Sequence, residues 1–172
     1  TTEIYTLSLH DALPIYFGFI ENIDQSLFEQ VVNAERFCLS EPVYTLTRLR
    51  LFGELLARNI AARMNVRFDD QTTQSDLLRE LKYQNVIDSR INLLFHNIRT
   101  AGNRAVHEGI GTLNDAVSCL RFAHLLTVYY FKTFHDRSFR AVPFVTPAPP
   151  DSLAEKQKQE LAAVTSELDK LR

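Results

Sequence analysis

SEPVYTLTRLRLFGELLARNIAARM, residues Ser40 to Met64, carries the pattern that sets the fold class. Leu49, Phe52, Leu56, Ile60 and Met64 follow one another at spacings of 3, 4, 4 and 4, the stride of one face of an α-helix. Ser40 is a suitable N-cap, and Pro42 falls in the first turn, where a missing N–H costs little. The spacing therefore predicts a long helix from about Ser40 to about Met64.

The same period extends outward in both directions. Upstream, Leu27, Val31, Ala34 and Cys38 predict a first helix opening near Asp24. Downstream, a polar connection from Asp69 to Gln74 leads to a short third helix with Leu77, Leu78 and Leu81, ending around Asn85. A fourth helix, capped by Asp88 or Ser89, repeats Ile91, Leu94, Ile98, Ala101 and Ala105, and Gly109 and Gly111 mark its end. A fifth, from about Leu113 to His135, holds Ala116, Leu120, Ala123, Val128 and Phe131. It is apolar on more than one side, so it is expected to be the central helix. No strand pattern of any length interrupts the series. The expectation is an all-α bundle of about five helices over residues 16–142.

Both ends of the chain differ from this body. The first fifteen residues, TTEIYTLSLHDALPI, lack the basic start, apolar core and cleavage site of a signal peptide. They resemble the in-frame translation of a sequencing-library adapter and are set aside from the fold. Four of the six prolines cluster in VPFVTPAPP, Val142 to Pro150, which predicts a Pro-rich strap or linker over 143–150. Beyond it, Ala154, Leu161, Val164, Leu168 and Leu171 predict the start of a coiled coil over 151–172, with a possible coiled-coil partner.

The chain has 172 residues, 45% apolar and 23% charged, with a formal charge of −2. Setting the first fifteen residues aside removes Glu3 and Asp11, which leaves 19 acids against 19 bases. Bulk charge thus argues against a strongly basic nucleic-acid binder. No apolar run approaches the roughly 20 residues of a spanning helix, so no membrane role is expected. Cys38 and Cys119 are too few for a disulfide framework and fit a reducing cytoplasm. Phosphate-loop, HExxH, CxxC, EF-hand and GxSxG patterns are absent, so no metal and no cofactor is expected in this segment. Asp69 and Asp70 read as a solvated loop.

Three features stand on or beside the apolar faces. Arg50 and Glu54 are four residues apart and can face each other, while Gly53 between them permits another helix to approach closely. Arg99, Asn103 and His107 recur every four residues as a polar stripe, with Gly102 beside it. That stripe can form a buried network with Glu54 or Glu35, hold a phosphate or a partner, or act as a ribonuclease-like acid–base set. The third feature is an arginine bias of 14 Arg to 5 Lys. Arg48, Arg50, Arg58, Arg63 and Arg67 fall between Ser40 and Phe68, where only two acids occur. The reading is a solvated helix face or contact with a nucleic-acid backbone, the latter through Arg58, Arg63 and Arg67. His96, His124 and His135 are isolated and read as packed or surface residues.

Together, LRxFGE (Leu49, Arg50, Phe52, Gly53, Glu54) and RxxGNxxxH (Arg99, Gly102, Asn103, His107) resemble a helical domain of uncharacterised function. That domain occurs at the N-terminus of type I restriction enzyme R subunits and related DEAD/DEAH-type helicases. The Ala34-Glu35 pair, the PFVTP strap and the coiled-coil start follow the same order, so the resemblance covers about residues 20–172. It implies a parent protein that uses ATP and magnesium to translocate and cut double-stranded DNA alongside methylation and specificity subunits. The residues for that chemistry lie outside this segment, which is then a non-catalytic accessory domain. The domain also resembles HEPN helical bundles, some of which are ribonucleases with an Arg and a His separated by four to six residues. Here seven residues separate Arg99 from His107 and two separate Arg104 from it, which departs from that pattern. A stand-alone oligomerising module is the remaining alternative.

Overall fold

A computed structural model of the chain describes residues 15–147. The adapter-like segment (apart from Ile15), the end of the Pro-rich stretch and the coiled-coil start at 151–172 lie outside the described residues. Within them are five α-helices and a short 3₁₀ turn, and no strand. The helices are α1 (Gln25–Phe37), α2 (Pro42–Arg63), α3 (Gln74–Tyr83), α4 (Ser89–Glu108) and α5 (Leu113–Phe134). They pack together as the all-α bundle that the periodicity predicts.

Local chemistry sets the ends. Asp24, Thr73, Asp88 and Thr112 each accept a bond from the backbone N–H three residues on, and Thr112 with Asp115 completes a capping box. At the expected Ser40 cap the structure differs. Glu41 is the N-cap of α2 and makes no side-chain cap bond, because Pro42 at the first position already removes a donor. Gly109 ends α4 in the left-handed region at φ 66°. Asn65 and Asn85, both at φ 57°, do the same for α2 and α3. In each case the next residue closes the turn, with Val66 N–H donating to Ala61 and Val86 N–H to Leu81, both at 2.9 Å.

The expected apolar faces of α1, α3 and α4 are all buried. In α2, Leu49, Phe52, Leu56 and Ile60 are fully buried, but Met64 is 45% exposed because it lies past the last turn. The expectation that the fifth helix is central is corrected. It is α2 that packs against all four other helices, whereas α5 packs against α1, α2 and α4. The reason is a second seam on α2, formed by Gly53, Ala57 and Ala61 at four-residue spacing and also buried. Small side chains there let neighbouring helices come close on a side that apolar bulk does not advertise. On α5, Val128 and Phe131 of the predicted face are only half-buried, and Leu126, Thr127 and Tyr130 take their place in the interior.

Residues 143–147 pack as a strap. The Tyr16 hydroxyl donates to the Val145 carbonyl at 2.9 Å and accepts from the Val145 N–H at 3.3 Å. Phe144 lies against Tyr16 and His124, and the Arg121 guanidinium stacks over its ring and reaches Thr146. His124 is therefore a core residue. It is enclosed by Tyr16, Phe17 and Phe144 with Nε2 unpartnered, and burial pushes its imidazole pKa down.

Candidate functional site

The polar stripe and the LRxFGE segment meet where α2 crosses α4. Gly102 creates the meeting point. A Cβ there would collide with the Cβ of Arg50 and lie 3.1 Å from the Leu46 carbonyl, so the backbones approach only because it is glycine. The next residue, Asn103, accepts a 2.7 Å bond from Arg50 Nε. Both side chains are half-buried, so this charge-assisted bond ties the two helices where water competes weakly.

The other residues singled out by the sequence are dispersed. Glu54 lies 3.8 Å from Arg58, not against Arg50. Glu35 faces the chain's entry into the bundle and accepts from the backbone N–H groups of Ile15 at 2.7 Å and Tyr16 at 3.3 Å. Burial raises its pKa, and those two donors oppose the rise. Arg99 points its Nη2 at His96 Nδ1, 3.4 Å away. His107 is exposed in the last turn of α4. His107 lies eight positions after Arg99 on one helix, about 12 Å of rise, so within one chain they do not grip one phosphate between them. The six residues thus form one interhelical bond and several separate contacts.

Those contacts predict unequal roles. Asn103→Ala should lower stability by about 1–2 kcal/mol, since it leaves a half-buried guanidinium edge unpaired. His107→Ala should stay within about 0.5 kcal/mol, as surface substitutions do. Thermal melts of the two variants check this, and an equal drop would contradict the assignment.

Several arginines of α2 make contacts within the fold. Arg58 donates to the carbonyls of Asp69 at 3.4 Å and Thr72 at 3.1 Å and stacks on Phe68, so it pins the connection to α3. Arg63 donates to Asn59 and lies over Tyr130 and Phe134. Arg48 donates to Gln30 and lies over Tyr44. Arg67 stands exposed in the connection after α2.

Sequence reasoning missed Asn59. Its amide donates to the α1 cap Asp24 at 2.6 Å, and its oxygen accepts from Tyr130 at 2.9 Å, so it links α1, α2 and α5. Only a map of which helices touch could have picked it from the other polar residues of α2. Both thiols are buried and inert. Burial together with the Glu35 charge pushes Cys38 up to about 11, and burial above all pushes Cys119 to about 12.

Among the described residues, a cleft opens on either side of α4. One, of about 240 Å³, lies against α5 and contains the Arg104–Asp115 ion pair at 3.4 Å. The other, of about 220 Å³, lies against α3 and has Arg79, Lys82, His96 and Arg99 in its wall. Among the described residues no helix is long and apolar enough to cross a membrane.

No family model matches the chain, and no solved structure matches it. One curated protein does. Over 132 residues, 76% of this chain, it is 35% identical to the type I restriction enzyme EcoKI endonuclease subunit of Escherichia coli strain K12. The chain spans 11% of that subunit's length. The bundle is thus a helical region similar to part of the endonuclease subunit of a type I restriction enzyme.

Proposed function

We propose that this segment is a non-catalytic accessory domain of a type I restriction R subunit, and that it contacts DNA or the other subunits. The parent would translocate and cut double-stranded DNA with ATP and magnesium, alongside methylation and specificity subunits. The observation that carries this reading is the 35% identity over 132 residues to a restriction endonuclease subunit. The geometry supports the non-catalytic part, because the stripe residues that a ribonuclease would use are dispersed along α4 and Asn103 is engaged in helix packing.

A chimera tests it. The matching region of the EcoKI endonuclease subunit is replaced by residues 16–147 of this chain, and restriction of unmodified phage is compared with a deletion of that region. The expected result is that the chimera restricts and the deletion does not. A deletion that restricts normally would overturn the reading, as would cleavage of single-stranded RNA by this chain that His107→Ala abolishes.

A further inference from the structure

Among the described residues, the α3–α4 cleft gathers cationic side chains from two helices on one open surface. Arg79 and Lys82 project from α3 and Arg99 from α4; Ser75, Asn92 and His96 add further hydrogen-bonding groups. No carboxylate lines the cleft. Asp76, outside the lining, is held by Arg79 at 2.5 Å. Lys82 is exposed and has no ion pair among the described residues. Arg99 is the most telling member. It is half-buried, its Nε is shut off from water with no hydrogen-bond partner, and no carboxylate lies within ion-pair distance among the described residues. A partly dehydrated guanidinium without a counter-charge favours the arrival of an anion.

We infer that the α3–α4 cleft is a binding site for a phosphate group. Donors converge from two helices, which suits the several oxygens of a tetrahedral phosphate better than the two coplanar oxygens of a carboxylate. A volume of about 220 Å³ also leaves room for the group to which the phosphate is esterified. The phosphate comes either from a nucleic-acid backbone or from a small phosphorylated molecule. The inference stands apart from the restriction reading, since it rests on this cleft alone.

The test uses the 172-residue chain with two probes at matched ionic strength: inorganic phosphate followed by amide chemical shifts, and a short labelled DNA duplex followed by anisotropy. Saturable binding of at least one probe is expected, with phosphate-induced shifts concentrated between residues 75 and 99. The exposed pair Arg79→Gln/Lys82→Gln should weaken binding about tenfold and, for the duplex, lower the salt slope by about 2. Arg36→Gln/Arg137→Gln makes the same charge change on exposed residues outside the cleft and should alter affinity less than about twofold. Binding of the duplex alone identifies a strand backbone, and binding of inorganic phosphate alone identifies a small phosphorylated ligand. Failure of both probes to bind, or equal weakening by the two double variants, overturns the proposal.

Discussion

Phe52→Ala should cost about 3–5 kcal/mol, the usual range for removing a fully buried aromatic side chain. A domain of this size is stable by only about 5–15 kcal/mol, so the variant should melt far below the parent chain or fail to fold at ambient temperature. The effect is large because Phe52 is inaccessible to solvent on the helix that touches every other helix. A cavity there cannot be closed by the shift of one neighbour. Phe131 on α5 provides the comparison. It is half-buried among Phe19, His135 and Phe139, and Phe131→Ala should cost about 1–2 kcal/mol. Denaturant titration of both variants, read at constant slope, checks the order. Equal losses would contradict the place given to α2.

Gly102→Ala should destabilise the protein by about 1–3 kcal/mol, the typical cost of overpacking. Helix propensity alone predicts the opposite, a gain of about 1 kcal/mol for replacing glycine within a helix. The two terms can be separated at Gly53. There a new Cβ would meet Gln74 Nε2 at 3.2 Å, the far end of a flexible side chain, and then only ordinary contacts at 3.6 and 3.9 Å. At Gly102 the obstacles are Arg50 Cβ and the Leu46 carbonyl, which are fixed to the α2 backbone. Gly53→Ala should therefore be neutral or stabilising by up to about 1 kcal/mol, while Gly102→Ala must push α2 and α4 apart and strain the Arg50–Asn103 bond. Melting temperatures that move in opposite directions are the expected outcome. If Gly102→Ala raised the melting temperature, the two helices would not be in the contact described.

The helices were legible because side-chain size and spacing carry them. Leu27, Val31 and Ala34, or Ile91, Leu94 and Ile98, mark their buried faces by bulk and period alone. Misjudging which helix is central has the converse cause. Gly53, Ala57 and Ala61 hardly register on a hydropathy scale, yet they decide where helices can touch. For the candidate site, the sequence singles out Gly102, Arg50 and Asn103, but it sets Arg50 opposite Glu54, and the Arg50–Asn103 pairing comes only from the structure. The destinations of Glu35, Glu54 and Arg58 were not legible either. A long charged side chain reaches several neighbours, and the choice among them is made by tertiary packing. The α3–α4 cleft was hidden for the same reason: Arg79 and Lys82 belong to one segment, His96 and Arg99 to another, and no local pattern joins them.

The Tyr16–Val145 clasp sets the route that a mechanical load would take. Because one hydroxyl grips the backbone at position 145, the points where the chain enters and leaves the helical body lie side by side. Tension pulling outward from residues 16 and 145 would therefore load that clasp and the Phe144 stacking first, leaving the helices slack. While that clasp holds, the bundle would hang beside the line of force, and once it opened the load would pass to the helices.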